Sequence, residues 1–177
     1  GRRGAEVVVV PANVEEREPG VRWVDVETYE EVEEATTRLA NHADALVMAA
    51  AISDFTPAEV NEGKIRRGST EELDLKLVAT GDIHQPVRKS NPELFMVGFA
   101  ATFGDPAPDA REKLGSKGID LVVGNDISRE GSGFGSDENE VYIVGREGDK
   151  FVPRASKTEV AREILDAVAS EMLGKER

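Results

Sequence analysis

The segment from Ala43 to Ile52 constrains the fold of this chain more than any other, because every residue in it except Asp44 is apolar. It is too short to cross a membrane as a helix, which takes roughly 20 apolar residues. A short apolar run of this kind is typical of a strand that is covered on both faces of a sheet. The segment therefore predicts a central strand.

Other parts of the chain alternate between strand and helix patterns, and capping boxes open two of the helices, at Thr28 with Glu31 and at Ser156 with Glu159. The predicted helices are Thr28–His42, Asp82–Ser90, Asp105–Lys117 and Ser156–Leu173. The predicted strands are Glu6–Val10, Val21–Val26, Lys64–Arg67, Leu73–Val78, Leu94–Ala100, Leu121–Val123, Glu140–Val144 and Lys150–Val152. We expect an α/β fold with a mostly parallel sheet, helices on both faces and a small antiparallel hairpin turned at Gly148-Asp149.

Composition limits the partners that the chain can have. The 177 residues fit one domain, and 35 acidic against 22 basic residues give a formal net charge of −13. Such a charge disfavours nucleic acid and anionic membranes, so we expect neither as a partner. Cysteine is absent, and we find no signal peptide or membrane-spanning run, which favours a soluble, cytoplasmic protein. A phosphorylated substrate would need a local cluster of positive charge.

Small and polar residues follow several predicted strands, where ligands of open α/β sheets usually bind. Ala49, Ala50 and Ala51 let a ligand approach the backbone, although tight helix packing explains them equally well. Asp54 comes next and can accept hydrogen bonds from the amino group of a base, or cap a turn. Its position predicts a nucleotide contact as the functional alternative.

The segment Lys64–Arg67 concentrates three cations in four residues of an acidic chain. In an extended segment, Lys64 and Arg66 project to one face and could grip phosphate groups. The alternative is a solvated cluster of charge on an edge strand.

The next two predicted strands end in a similar way. Phe99 could stack on a base or pack in the core, while Ala100 and Ala101 permit close approach to the backbone. Asn125 and Asp126 could bind ribose hydroxyls or a base, or form a turn.

Five segments in this order resemble motifs of the phosphopantothenoylcysteine synthetase family, and with their flanks they cover the chain from about Gly4 to Met172. Lys64–Arg67 is similar to a strap of the sequence Lys-Ile-Lys-Lys, and Val97–Ala101 matches Val-Gly-Phe-Ala-Ala. The remaining segments are Met48–Phe55, Lys113-Leu114 with Lys117–Asp126, and Gly133–Asn139.

The resemblance implies a Rossmann-like ligase that joins cysteine to 4′-phosphopantothenate with CTP and Mg²⁺ in coenzyme A synthesis. It implies that Lys64 is catalytic and contacts substrate together with Arg66, and that Asp54 belongs to the base pocket. The other nucleotide-binding residues that it implies are Ala50, Ala51, Phe99, Ala100, Asn125, Asp126 and Phe134. It also implies a homodimer, and in many members fusion to a flavin-dependent decarboxylase.

The start of the chain departs from a complete domain of this family. Gly1 to Glu6 resembles the exit from a first helix, so we expect the domain over residues 1–177 to lack its opening strand and glycine-rich turn. The substrate-contacting asparagine of the family lies in that missing segment, so we expect the chain alone to be weak or inactive. Thr102-Phe103 also stands where the family usually has glutamate and threonine.

Alternatives remain open on the residues alone. ATP could replace CTP, an NAD(P)-binding oxidoreductase could share the scaffold, or the chain could be a non-catalytic nucleotide-binding module. An oxidoreductase needs a Gly-x-Gly-x-x-Gly turn after a first strand, and Gly133–Gly135 is misplaced for one. His42 and His84 have no partner at metal-ligand spacing.

Overall fold

The apolar segments form strands, and the capped amphipathic segments form helices, in the computed structural model of the chain, which describes residues 1–14, 17–61, 63–66, 72–128 and 136–175. The helices are α1 (Tyr29–Ala40), α2 (His84–Ser90), α3 (Ala107–Lys117) and α4 (Lys157–Lys175). The strands are β1 (Val8–Val9), β2 (Arg22–Trp23), β3 (Ala45–Met48), β4 (Phe55–Pro57), β5 (Leu77–Ala79), β6 (Phe95–Thr102), β7 (Leu121–Asp126), β8 (Glu138–Gly145) and β9 (Asp149–Ser156). No helix within these ranges is long and apolar enough to span a bilayer.

The chain divides into two compact units, and the larger one, residues 1–50 with 83–177, holds a five-stranded sheet of order β3-β6-β7-β8-β9. β3, β6 and β7 are parallel, whereas β8 runs antiparallel to β7 and β9 antiparallel to β8. The predicted α/β class and the hairpin are confirmed, and the sheet is mixed. A separate parallel pair in the same unit joins β1 to β2.

Helices cover both faces of this sheet. The main core lies beneath α4, where Val160, Ile164 and Val168 pack against inward-facing residues of four strands. The buried strand residues of this core are Phe95, Val97, Leu121, Val123, Val141, Ile143 and Val152. On the opposite face α3 packs so closely on β7 that a Cβ at Gly124 would lie 3.0 Å from the Cβ of Pro106.

Local signals set most helix ends. Thr28 and Glu31 form the predicted capping box of α1, with the Thr28 hydroxyl accepting from the Glu31 N–H at 3.3 Å. The helix predicted over Asp82–Ser90 begins at His84, and Ile83, at its N-cap position, makes no side-chain hydrogen bond to the helix. Gly118 ends α3 in the left-handed conformation, with φ of 64°, as its place after Lys117 predicts.

The smaller unit, residues 51–82, contains β4 paired antiparallel with β5, with Phe55 opposite Ala79. The prediction of strands at Lys64–Arg67 and Leu73–Val78 is therefore wrong in part. Residues 64–66 form no strand, Arg67 lies outside the described residues, and the second strand is limited to Leu77–Ala79. Alternating leucines predicted a half-exposed strand over Leu73–Val78, yet Leu73 and Leu75 lie outside β5 and are 65% and 59% exposed.

A buried ion pair joins α2 to the amino ends of β6 and β7. The Arg88 guanidinium donates to the Asp120 carboxylate at 2.6 Å, and also to the carbonyl oxygens of Gly118, Pro92 and Leu94 at 2.7–2.8 Å. Asp120, only 1% exposed, accepts from the Met96 N–H at 2.9 Å. Two connections, from α2 to β6 and from α3 to β7, are thus held by one cation and one carboxylate.

Replacing Arg88 with alanine is expected to lower the free energy of unfolding by about 3–5 kcal/mol, because the Asp120 carboxylate would lose its main partner inside the protein. Urea unfolding followed by circular dichroism measures this. The matched control is Lys150→Ala, which breaks an exposed 2.6 Å pair with Glu163 and should cost about 1 kcal/mol or less. Equal losses in the two variants would contradict the structural role of Arg88.

The capping box of α4 lowers the pKa of Glu159. The Ser156 hydroxyl donates to the Glu159 carboxylate at 2.6 Å and the Ser156 N–H donates at 3.1 Å, and these bonds, with a smaller effect of Arg162, lower the pKa of Glu159 below its ordinary value. Because the pKa of Glu159 is lower in the folded state, its ionised carboxylate stabilises the fold at pH values above the ordinary pKa of glutamate. That stabilisation is lost as the pH falls through the folded-state pKa.

Ser156→Ala is expected to raise the pKa of Glu159, because the first of the bonds that favour its ionised form disappears while the backbone bond can remain. An NMR titration of the carboxyl carbon measures the change. Thr158→Ala, an exposed substitution in the same turn, should leave the pKa in place. An unchanged Glu159 pKa in the Ser156 variant would refute this assignment.

Candidate functional site

The carboxyl ends of the neighbouring strands β6 and β7 lie side by side at one end of the five-stranded sheet. We call this end of the sheet its carboxyl edge. The parallel register of these two strands places Ala100 beside Gly124, Ala101 beside Asn125 and Thr102 beside Asp126. The structure therefore brings together four predicted nucleotide-binding residues, namely Phe99, Ala100, Asn125 and Asp126. Asn125 and Asp126 are the last residues of β7, not the loop that follows it.

β3 lies on the other side of β6 and ends earlier, with Met48 beside Gly98. The next residues, Ala49 and Ala50, are exposed and half-buried, and they continue from the strand with no regular structure. The central strand predicted over Ala43–Ile52 is therefore shorter in the structure, and Ala50 lies just beyond its carboxyl end. Ala51, exposed, begins the smaller unit.

Phe99 faces the α4 side of the sheet, where its half-buried ring packs against the main core. Of the two roles left open for this residue, packing is the one that the structure shows. The ring sits at the carboxyl limit of that core, so it supports the edge at which the neighbouring residues gather.

Lys113 of α3 supplies a cation to this edge. Its ammonium donates to the Phe99 carbonyl oxygen at 2.5 Å, and the side chain is half-buried. Lys113 belongs to one of the five motifs but carries no predicted role. Nothing in a helical sequence tells which strand a lysine will reach. The available signal was its position three residues after the buried Ala110, because residues at i and i+3 share one side of a helix.

Asp126 organises the two turns that follow β6 and β7. Its Oδ1 accepts from the Gly104 N–H at 3.0 Å, the Ser128 N–H at 2.9 Å and the Ser128 hydroxyl at 2.6 Å. These bonds give Asp126 the turn role that the sequence allowed. A contact from Asp126 to nucleotide stays a prediction.

Asn125 lies beside Asp126 but on the opposite face of the sheet. It is half-buried, and its side-chain amide makes no hydrogen bond to another residue of the described ranges. An amide offers both donors and an acceptor, so this group can bind a polar ligand without first giving up a protein partner.

In the smaller unit, Asp54, Lys64 and Arg66 are all exposed. The backbone around Asp54 is fixed locally, because its carbonyl oxygen accepts from the Thr80 N–H at 2.9 Å and the Thr80 hydroxyl donates to the Ser53 carbonyl oxygen at 2.6 Å. The Asp54 carboxylate makes no bond within this part of the chain, so it serves no turn cap there. Roles for these three residues stay predictions.

Phe134, with the rest of 133–135, lies outside the described residues. A backbone hydrogen bond fixes the last part of that motif. The Lys157 N–H donates to the Asp137 carbonyl oxygen at 2.9 Å, which joins the residue before β8 to the start of α4. In the portion of the chain that the structure describes, no three His, Cys, Asp or Glu residues gather as ligands for a metal ion.

The fold and this edge define an α/β domain whose small and polar residues converge at the carboxyl ends of parallel strands, as in nucleotide-binding sheets. The chain belongs to the family described as the DNA/pantothenate metabolism flavoprotein C-terminal domain, whose profile matches residues 1–172. The family expected from the five motifs is thereby confirmed.

Known proteins similar to the chain agree with this family. The coenzyme A biosynthesis bifunctional protein CoaBC of Bacillus subtilis is 33% identical over 170 residues, which cover 94% of this chain and 42% of that protein. The crystal structure of the C-terminal domain of a CoaBC protein superposes on this chain with a TM-score of 0.76 and 26% sequence identity. The match covers 99% of this chain and 78% of the solved chain. A Cab2 mutant in complex with phosphopantothenate-cysteine shares the fold alone, with a TM-score of 0.68, 16% identity, and coverage of 89% and 56%.

The chain spans about two-fifths of the length of the curated relatives that it matches. Activities named for those whole proteins therefore describe polypeptides that are more than twice as long.

Gly124→Ala is expected to lower the free energy of unfolding by about 1–3 kcal/mol, because the new Cβ would lie 3.0 Å from the Pro106 Cβ and 3.2 Å from its carbonyl oxygen. Chemical denaturation measures it. Gly115→Ala is the control, since that helical glycine has no atom within 4 Å of the added Cβ and should gain about 1 kcal/mol. A neutral Gly124→Ala would mean that α3 is not seated on β7 as described.

Proposed function

We propose that the chain carries the ligase site that joins L-cysteine to 4′-phosphopantothenate in coenzyme A biosynthesis, with CTP as the activating nucleotide. Family membership supports this proposal. So does the name of the Bacillus subtilis relative, a coenzyme A biosynthesis protein, and so does the bound phosphopantothenate-cysteine named for the Cab2 mutant of the same fold.

The observation that carries the proposal is that small residues, the Asn125 amide and the Lys113 ammonium all lie at the carboxyl ends of β6 and β7. Ala100 and Ala101 add little bulk at the carboxyl end of β6, and Lys113 holds an ammonium against the Phe99 carbonyl. In a chain with a net charge of −13, such a cation favours a polyphosphate at this edge over the rest of the surface.

The chemistry has two steps. The carboxylate of 4′-phosphopantothenate attacks the α-phosphorus of CTP, which forms an acyl-cytidylate and releases pyrophosphate. The cysteine amine then attacks the acyl carbon, an amide bond forms, and CMP leaves with the bonding pair. Both steps concentrate negative charge on phosphate oxygens, so the protein contributes mainly by positioning and by charge stabilisation.

Individual residues take distinct roles in this scheme. Lys64 is the catalytic cation and contacts substrate, and Arg66 binds substrate phosphate. Asp54 accepts from the amino group of the base, which its exposed and unbonded carboxylate leaves it able to do. Asn125, at the end of β7, offers its amide to the nucleotide. In the larger unit, Lys113 supplies a further counter-charge for phosphate.

Other nucleotide contacts are assigned to Ala50, Ala51, Ala100 and Phe134 by family resemblance, together with Mg²⁺ that enters as the magnesium complex of the nucleotide. The same resemblance supports a homodimer and a cytoplasmic location. It supports fusion to a flavin-dependent decarboxylase as well, and the bifunctional names of the relatives agree with such a fusion. CTP is favoured over ATP by the paired alanines and the basic strap.

The proposal is tested on the full-length natural polypeptide by supplying 4′-phosphopantothenate, cysteine and either MgCTP or MgATP, and by quantifying the amide product and the released nucleoside monophosphate. We expect product and CMP in equal amounts. Lys64→Ala should lower the turnover rate about 100- to 1,000-fold, because a charge that is preorganised for the transition state is lost. Asp54→Asn should weaken CTP binding about tenfold or more.

Matched controls lie in the same unit of the chain. Lys76→Ala and Asp74→Asn change the same charges at exposed positions and should leave turnover and CTP affinity unchanged. NAD serves as a negative control for the oxidoreductase alternative. No product with either nucleotide, or binding of NAD in place of CTP and ATP, would overturn the ligase proposal, while AMP release would overturn only the choice of nucleotide.

A further inference from the structure

A groove of about 540 Å³ lies between α3 and the turn that joins β8 to β9. Its floor is apolar, since Leu114, Ile119 and Val144 line it. Sites for small molecules usually have a volume of this order and a mainly apolar lining. Because the groove adjoins the amino end of the six-residue strand β7, it lies roughly 17 Å from the carboxyl edge. The groove is therefore separate from the residues that end β6 and β7.

The charges around the groove do not cancel. Its two nearest carboxylates are already paired, because Asp149 accepts from Arg111 and the buried Asp120 accepts from Arg88 at 2.6 Å. Arg146, which is 63% exposed, lies 3.4 Å from Asp120 and makes no hydrogen bond to another residue of the described ranges. Three guanidinium groups thus face two carboxylates, and one positive charge is left uncompensated at the groove.

Two further carboxylates near Arg146 are engaged on the side of the sheet that α4 covers. The Glu171 carboxylate accepts from the Glu147 N–H at 3.0 Å, and the Glu147 carboxylate lies 2.5 Å from where a Cβ on Gly174 would be. Because Glu171 and Gly174 belong to α4, which covers the face opposite α3, neither carboxylate lines the groove. They therefore do not occupy the N–H donors of Arg146.

Gly115 keeps the groove wide on the side of α3. A glycine weakens a helix relative to alanine, and a Cβ at Gly115 would meet no atom within 4 Å. No contact within the described residues therefore requires a glycine at this position. A glycine that weakens its helix and opens space in a groove is expected where a ligand approaches the backbone.

The chemistry of the groove identifies the class of ligand. A guanidinium binds a carboxylate through two parallel N–H bonds, and an apolar floor suits a hydrocarbon group. We infer that the groove binds a small organic acid with an apolar body, with its carboxylate on Arg146 and its apolar part on the floor. A single uncompensated charge favours such a monoanion over an organic phosphate. The inference does not rest on the ligase proposal, because no lining residue takes part in that scheme.

Fluorine NMR on the full-length natural polypeptide tests this site, with para-trifluoromethylbenzoate as the probe and its transverse relaxation as the measure of binding. We expect saturable binding with a Kd of about 1 mM or below, as the size of the probe allows. The uncharged para-trifluoromethylbenzamide should bind about tenfold more weakly or less, because it cannot pair with a guanidinium.

Two variants place the probe in the groove. Arg146→Gln should weaken binding of the probe about 10- to 100-fold, because a charge-assisted pair is lost. Gly115→Leu should abolish binding by filling the groove, while its midpoint of thermal unfolding should not fall, since leucine favours a helix. The matched controls are Arg38→Gln and Ser116→Leu, two exposed positions that do not line the groove and should leave the affinity unchanged.

The inference is overturned if the probe does not saturate below about 10 mM, or if the benzamide binds as tightly as the benzoate. It is also overturned if both groove variants bind the probe like the natural protein. Unchanged binding in the Arg146 variant together with displacement by CTP or 4′-phosphopantothenate would place the probe in the ligase site. That result would overturn this inference and leave the ligase proposal intact.

Discussion

The fold of the larger unit depends on the buried ion pair between Arg88 and Asp120. A carboxylate that is 1% exposed needs compensation, and Arg88 supplies it while also binding three carbonyl oxygens of neighbouring connections. This geometry sets the position of α2 against the amino ends of β6 and β7. Because strands are stiff along their length, a fixed amino end determines where Phe99 to Thr102 and Asn125 to Asp126 emerge.

The groups that stabilise the sheet and the groups proposed to bind ligand therefore lie at opposite ends of its strands. Its amino ends carry the buried Asp120 carboxylate paired with Arg88, and its carboxyl ends carry small residues, the Asn125 amide and the Lys113 ammonium. This separation lets ligand-binding residues be chosen for chemistry, since the core beneath α4 and the Arg88 network hold the scaffold.

The α/β class, the helices of the larger unit and the five motifs could be predicted from sequence, because capping boxes and apolar runs are local signals. Asp126 shows what local signals leave open: its carboxylate holds two turns, and only the parallel register brings Gly104 and Ser128 to it. Lys113 required knowledge of how α3 crosses β6. The strands of the smaller unit were misplaced because pairing between Phe55–Pro57 and Leu77–Ala79 spans a long loop that alternation cannot detect.

The bonds of Asp126 have a consequence for motion. The turns after β6 and β7 share one acceptor oxygen, so neither can change its backbone angles without breaking a charge-assisted hydrogen bond that also restrains the other. Their fluctuations are therefore correlated, and anything that orders the first turn reduces the conformational entropy left to the second. The turns at Gly104 and at Ser128, which are far apart in sequence, are thus coupled through one carboxylate oxygen.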